Sequence, residues 1–190
     1  YFNAAKEPNK EIFWSWRILF PSACNSAKIR FPKHLPSTHT NMKHVTSIDS
    51  VREILGEPNP VIHNKIKNQL NARMIAFIQA SPLLMLSTVD GDGFPTVSPK
   101  GDDPGFVRVR NNQTLLIPER TGNKLAFSFA NMLNNGKAGL IFIVPGTHET
   151  LRIHGHCKMI HDEALCRELA SSTQDALLII EFHIISCYFH

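Results

Sequence analysis

The sequence predicts a mainly β protein, a β-barrel with flanking helices. From residue 83 onward, short segments rich in β-branched and aromatic residues follow one another along the chain, and this composition is typical of strands. Clusters of Gly, Pro, Asn and Asp separate many of these segments by only a few residues, as hairpin turns do. Six or so strands with short turns and few helices indicate a closed antiparallel barrel. A chain of 190 residues fits one domain with a substantial core.

Two helices are predicted before the first strand. The first begins at Thr46 or Ser47, which are favourable N-cap residues, and ends before Gly56. The second is predicted within residues 62–81, where apolar residues recur at helical spacing. These apolar residues are Ile66, Leu70, Met74 or Ile75, Phe77 and Ile78.

The strand-like segments then continue to the end of the chain. Two further helices are predicted between them, one over residues 122–133 and a short one from Asp162. The strand-like segments cover residues 83–89, 94–99, 106–110, 114–117, 138–144, 150–160 and 177–189.

A dense group of polar donors lies in residues 96–125, TVSPKGDDPGFVRVRNNQTLLIPERTGNKL. A phosphate needs several donors from fixed directions, and hydroxyl, ammonium, guanidinium and amide donors occur here at strand ends and at a predicted helix start. The helix N-terminus would add partial positive charge. The alternative is a solvated loop, since Lys and Arg usually occupy surfaces without a ligand. The candidate phosphate donors are Ser98, Lys100, Arg120, Asn123 and Lys124.

The spacing of these motifs resembles the pyridoxamine 5'-phosphate oxidase-like family of FMN-binding split-barrel flavoproteins. The resemblance is carried by S-P-K-G-D-x-P-G-F-V, L-x-I-P-x-R-x-G-N-[KR] and N-x-L-x-N, and it covers roughly residues 46–190. It implies a six-stranded antiparallel split barrel that pairs as a homodimer, with FMN lying between the protomers.

The resemblance also implies which residues bind the cofactor. The basic residues and Asn123 hold the phosphate, while two strand segments approach the ribityl chain and the ring edge. Asn131 either fixes its helix or reaches the partner's flavin, and Thr150 approaches the ring. Lys124 stands where an arginine is common, which exchanges a bidentate fork for a point charge. The implied cofactor-binding residues are Val97, Ser98, Lys100, Ile117, Pro118, Arg120, Asn123, Lys124, Asn131 and Thr150.

The activity that the resemblance implies is that of an FMN-dependent oxidoreductase. A hydride would pass between flavin N5 and a small organic substrate, and that step needs no catalytic acid or base from the protein. The alternative is a binding protein that holds FMN, a deazaflavin or haem without turnover, for storage, sensing or electron transfer.

Residues 1–41 differ in character from the rest of the chain. They contain six Lys or Arg and two Asp or Glu, which accounts for the whole net charge, so the high pI is no argument for nucleic acid binding. We predict that they are an atypical extension and that the native domain spans residues 42–190. A signal peptide is the disfavoured alternative, because Arg17 interrupts the apolar run over residues 12–20. The chain ends at CYFH, where similar proteins continue with a segment that helps cover the flavin, so the domain is expected to be truncated there.

No metal site, nucleic acid partner or membrane partner is predicted. The four cysteines are widely spaced and form no C-x-x-C pair, which favours reduced thiols and a cytoplasmic protein. His154 and His156 share one face of a predicted strand, but a solvent-facing polar row is the commoner cause of that pattern. The histidines of this strand leave the haem alternative open. No apolar run reaches membrane-spanning length.

Overall fold

The computed structural model describes residues 43–190, apart from the side chains of residues 62 and 63. Residues Gly56–His190 form one compact unit. Helix α1 (Ile48–Leu55) precedes that unit and buries none of its residues. The predicted extension over residues 1–41 lies outside the described residues. Within the described residues, no helix combines the length and the apolar character needed to cross a membrane.

The compact unit contains a short 3₁₀ helix, three α-helices and seven strands among its described residues. Each strand-like segment of the sequence forms one strand. In chain order the elements are the 3₁₀ helix (Pro60–Lys65), α2 (Ala72–Ala80), β1 (Leu83–Val89), β2 (Pro95–Gly101), β3 (Arg108–Asn111), β4 (Thr114–Glu119), α3 (Phe127–Asn135), β5 (Lys137–Ile143), β6 (Thr150–Ile160), α4 (Glu163–Glu168) and β7 (Leu178–Phe189).

All seven strands pair antiparallel in a single sheet with the order β2-β1-β5-β6-β7-β4-β3. Among the described residues the two outer strands, β2 and β3, do not pair with each other. The fold is therefore a mainly β split barrel with flanking helices, as the sequence predicts. The six strands implied by the resemblance are one too few, because the four-residue β3 is a separate strand.

The main core lies between the inner face of the sheet and helices α2 and α3. Alternate residues of β1, such as Leu84 and Leu86, point into it, as the two-residue period of a strand requires. Strand β4 differs, because its residues from Leu115 to Glu119 are all buried. One face of β4 meets the main core and the other meets a second cluster around Leu169 and Ile179. Glu119, the charged residue at the end of β4, is therefore buried by its position.

Two predicted helices begin later than expected, each for a local reason. The segment before α2 is held to β7 by an isolated bridge, in which the Lys67 N–H donates to the Cys187 carbonyl at 2.9 Å. Asn71 then caps α2 by accepting a hydrogen bond from the Met74 N–H at 3.0 Å. Helix α3 begins at Phe127 because residue 126 has a left-handed backbone with φ +57°, which is incompatible with a helix.

Candidate functional site

A groove of about 670 Å³ opens where β2, the end of β4 and the start of α3 meet. This volume lies within the range of about 300 to 1,000 Å³ that is typical of small-molecule and cofactor sites. Nearly all of its lining lies within residues 96–129, and Leu177 is the exception in the lining described. Seven of the ten predicted cofactor residues are among its lining: Val97, Ser98, Lys100, Pro118, Arg120, Asn123 and Lys124.

The structure places the other three predicted residues away from this groove. Ile117 is fully buried in the main core. Asn131 is a buried residue of α3 itself. Thr150 lies at the start of β6, where its N–H donates to the His190 carbonyl at 2.8 Å. The groove therefore brings seven of the predicted residues together, and these three side chains are not part of its wall.

Asn131 joins α3 to the hairpin of β1 and β2. Its side-chain nitrogen donates to the hydroxyl oxygen of Thr88 at 3.0 Å and of Thr96 at 3.3 Å. These two hydroxyls lie 2.8 Å apart and bond to each other. Two roles were expected for Asn131. The contacts within the chain are those of the first role, in which Asn131 fixes its helix. They hold the first turns of α3 against one wall of the groove.

Lys100 forms an ion pair with Glu119, a residue that the motifs did not single out. Its Nζ lies 2.7 Å from Oε2 of Glu119, and the two side chains are only 17% and 7% exposed. Nζ also lies 5.5 Å from the centre of the Phe129 ring, within cation–π range. Burial raises the pKa of Glu119, and the hydrogen bond and charge of Lys100 partly oppose that rise. The other carboxylate oxygen, Oε1, is buried without a hydrogen-bond partner among the described residues.

All three nitrogens of the Arg120 guanidinium donate hydrogen bonds. Its Nε donates to Oδ2 of Asp102. One terminal nitrogen donates to the carbonyl of Gln174 at 3.1 Å, and the other donates to the carbonyl of Leu169 at 3.2 Å. The side chain therefore ties the end of β4 to the segment after α4. The two terminal nitrogens of the guanidinium are therefore already hydrogen-bonded to protein carbonyls.

The loop between β4 and α3 has an uncommon backbone. Lys124 and Ala126 both have left-handed φ values, +63° and +57°, although neither is glycine. Such residues cost on the order of 1–3 kcal/mol each and occur preferentially at functional sites. Asn123 supports the turn by accepting a hydrogen bond from the Leu125 N–H at 3.1 Å. The loop thereby presents the exposed Lys124 along the groove.

Ala126, the N-cap residue of α3, makes no side-chain cap hydrogen bond, and the first residues of the helix, Phe127, Ser128 and Phe129, line the groove. The first N–H groups of a helix have no partner within the helix. Together with the helix dipole they favour an anion at this end. The predicted positive helix end is therefore found at the groove, although it lies five residues later than the sequence indicated.

Apolar side chains form part of the same groove. Val97, Leu125 and Phe127 line it and are 63%, 58% and 64% exposed. Large apolar side chains gathered at one site often mark a place where a ligand or a partner protein binds. The groove therefore combines an anion-binding end with apolar surface, which suits a ligand with a charged tail and a flat, weakly polar body.

A family model described as pyridoxamine 5'-phosphate oxidase matches residues 70–189. The chain belongs to the pyridoxamine 5'-phosphate oxidase family. The resemblance seen in its motifs is thus confirmed. Membership in this family indicates a cofactor of the flavin type.

Solved structures support the fold of this pyridoxamine 5'-phosphate oxidase family member. A HupZ variant from Group A Streptococcus is 18% identical with a TM-score of 0.52, and the match covers 63% of this chain and 98% of that one. A candidate pyridoxamine 5'-phosphate oxidase from Lactobacillus delbrueckii is 21% identical with a TM-score of 0.51, over 64% of this chain and 95% of that one. At these identities the likeness shows the fold alone. No curated protein sequence matches the chain significantly.

Metal-ligating and thiol groups are dispersed in the structure. Within residues 43–190, no three His, Cys, Asp or Glu side chains gather where they would hold a metal ion. Cys157, Cys166 and Cys187 are buried and unpaired. Burial raises the pKa of the Cys157 thiol to about 11, so it remains protonated at neutral pH. These thiols have the character of core residues.

Proposed function

We propose that this protein is an FMN-dependent oxidoreductase that transfers a hydride between the flavin and a small organic substrate. The observation that carries the proposal is the uncapped N-terminus of α3 at the groove, next to the left-handed turn at Lys124. A helix N-terminus beside a positively charged residue is suited to a phosphate group. Family membership supports a flavin as the rest of the ligand.

The residues around the groove fit a phosphate-bearing flavin. The first turn of α3, Lys124 and the hydroxyl of Ser98 would hold the phosphate. Lys100 would also bind the phosphate. One of its three N–H groups donates to Glu119, and the other two are available. Arg120 would act differently from the prediction. It would keep the loop in place through Asp102 and two carbonyls rather than bind the phosphate with its fork.

The charge balance of the groove gives Glu119 a part in binding. Three cationic side chains line the groove with two carboxylates, those of Asp102 and Glu119. A phosphate dianion close to Lys100 would be repelled by an ionised Glu119. Because burial already raises the pKa of Glu119, this carboxyl takes up a proton more readily than an exposed one. Protonation would release Lys100 toward the phosphate.

Bound FMN would supply hydride transfer through its N5 atom. The protein would contribute orientation and the exclusion of water. Val97, Leu125 and Phe127 offer apolar surface for the ring system. No side chain near the groove is required as an acid or base for the hydride step.

We propose further that two copies of the chain pair and that the partner covers the flavin. Exposed apolar side chains support this, since Phe94 and Leu133 are 68% and 75% exposed in addition to those at the groove. Monomeric soluble proteins rarely expose large apolar patches. The proposed site of action is the cytoplasm, and the substrate is a small organic molecule.

The experiment is to load the purified protein with FMN, remove the excess, and record its absorption spectrum. The bound flavin is then reduced and exposed to oxygen or another acceptor, with free FMN as the reference. Retained flavin that is reoxidised faster than free FMN supports an oxidoreductase. Retained flavin without acceleration would identify a cofactor-binding protein instead, and loss of all flavin would contradict the proposed cofactor.

A further inference from the structure

A second groove, of about 510 Å³, lies on another part of the barrel and is formed by β1, β5, β6 and β7. We call it the outer groove. It shares no lining residue with the groove described above. Among the described residues, its polar lining is cationic or neutral and contains no Asp or Glu. The polar residues of the lining include Ser87, Lys137, Arg152, His154, His156 and Tyr188.

Arg152 has an unsatisfied donor in the part of the chain that the structure describes. The residue is half-buried, and its Nε is fully buried without a hydrogen-bond partner among residues 43–190. The ion pairs found among the described residues involve other cations. Arginine is rarely buried unless it is paired, and an unpartnered buried donor costs about 1–3 kcal/mol. An arginine kept in this position therefore indicates a partner that is not a side chain of this unit.

The strand register places His154 beside Arg152 on the same face. The two are separated by one residue of β6, so their side chains leave the sheet in the same direction. His154 is opposite Gly139 on β5 and Ser186 on β7. One ring nitrogen, Nδ1, lies 3.4 Å from the Ser186 hydroxyl oxygen. The other, Nε2, has no hydrogen-bond partner among the described side chains and remains available to a ligand.

Gly139 keeps the space above the sheet open. A Cβ atom added there would lie 3.4 Å from Cδ2 of the His154 ring and 3.9 Å from the Cβ of Ser87. A larger side chain would therefore fill the outer groove between β1 and β6. Replacing Gly139 by a larger residue would leave Arg152 and its charge in place. The substitution therefore separates the effect of groove shape on ligand binding from the effect of charge.

We propose that the outer groove binds the oxyanion group of a small anionic ligand, a carboxylate or a phosphate, with Arg152 as its main donor and His154 as the second. The planar fork of a guanidinium matches both oxyanions in a bidentate arrangement. An imidazole N–H adds a third directed bond. Lys137 and His156, at the edge of the groove, increase the positive potential without a carboxylate to cancel it. The proposal does not depend on the flavin, since the two grooves are separate.

The test follows the ring resonances of His154 by NMR while benzoate or inorganic phosphate is added in separate titrations. His154 is used because it reports on the outer groove, whereas phosphate bound near Lys124 would not move it directly. We expect a saturable shift with at least one anion, and the anion that binds identifies the ligand as a carboxylate or a phosphate. Arg152→Met should weaken that binding on the order of tenfold or more, as loss of a charge-assisted pair does.

Two further variants make the test specific. Lys158→Met removes one positive charge from the same face of β6 but outside the outer groove, and it should change affinity by less than about twofold, as for an exposed charge. Gly139→Val should abolish binding while retaining Arg152. Arg152→Met removes an unsatisfied donor, so the variant is expected to remain folded, and its melting temperature is measured to confirm this.

Three results would overturn the proposal. The first is the absence of a saturable His154 shift with both anions. The second is equal weakening by Arg152→Met and Lys158→Met, which would show that only net surface charge matters. The third is a dimer that Arg152→Met converts to a monomer, seen by light scattering, with no anion binding in the wild type. That result would make the partner of Arg152 a second copy of the chain.

Discussion

Lys100 and Glu119 form an ion pair at the groove in which the lysine Nζ lies 2.7 Å from Oε2 of the glutamate and both side chains are largely buried. The pair joins β2 to the end of β4, two strands that are not adjacent in the sheet. The second carboxylate oxygen of Glu119 has no partner among the described residues. A ligand phosphate would therefore compete with a carboxylate for the same cation.

The first prediction concerns the pH dependence of FMN binding. The pKa of Glu119 is raised by burial, and a phosphate beside Lys100 would raise it further, so binding takes up a proton. The wild type should therefore bind FMN more tightly as the pH falls from the alkaline side, down to about 6.5, below which the phosphate itself begins to lose its second charge. Glu119→Gln should bind more tightly than the wild type at the upper end and lose this pH dependence.

Isothermal titration calorimetry at several pH values measures both affinities. Titration in buffers of different ionisation enthalpy counts the proton directly. The account of Glu119 fails if the wild type and Glu119→Gln bind FMN with the same pH dependence.

The second prediction assigns Arg120 to structure rather than to the phosphate. Arg120→Ala removes an ion pair and two bonds to carbonyls and should lower the free energy of unfolding by about 2 kcal/mol or more. Arg108→Ala is the control, because its ion pair with Glu168 is long and exposed, and it should cost less than about 1 kcal/mol. Urea unfolding measures both. A stable Arg120→Ala that has lost FMN binding would show instead that Arg120 holds the phosphate.

The third prediction concerns Asn131 as the anchor of α3. Asn131→Ala leaves the hydroxyls of Thr88 and Thr96 without their buried donor, which should cost about 1–3 kcal/mol. Amide hydrogen exchange in α3 should become faster. Asn134→Ala, at an exposed position of the same helix, serves as the control and should leave exchange nearly unchanged. Unaltered exchange in Asn131→Ala would refute the anchoring role.

The fourth prediction tests the bulge in β7, where Ile185 is the extra residue opposite Gly155. The register between β6 and β7 shifts at Gly155, where an added Cβ would lie 2.1 Å from the His183 carbonyl oxygen. Gly155→Ala should therefore destabilise the fold by about 3 kcal/mol or more, since the backbone itself must move. Gly122→Ala has open space around its Cβ and should be nearly neutral. Thermal unfolding of the two variants makes the comparison, and equal stabilities would contradict the register.

Much of the fold was predictable because each strand carries its own local signal. The alternation in β1 and β6 and the turns between segments are contained in a few consecutive residues. The donors at the groove were predictable for the same reason, since Lys100, Arg120 and Lys124 lie in compact motifs. Family membership of the chain then followed from the spacing of those motifs.

The partners of those donors were not predictable from local signals. The pairing of Arg120 with the carbonyls of Leu169 and Gln174 joins residues about fifty positions apart. Glu119 stands next to Arg120 in sequence but hydrogen-bonds to Lys100 of β2, nineteen residues earlier in the chain. The start of α3 was misplaced because Lys124 and Ala126 adopt left-handed backbones that are normally the property of glycine.

The most direct measurement compares the affinities of the protein for FMN and for riboflavin, which differ only in the phosphate, by titration of flavin fluorescence. If the N-terminus of α3 and Lys124 hold the phosphate, FMN should bind about ten- to a hundredfold more tightly than riboflavin, as expected for charge-assisted hydrogen bonds. Lys124→Ala should reduce this preference, and Lys158→Ala, an exposed lysine outside both grooves, should not. Equal affinities for the two flavins, or no binding of either, would contradict the central claim.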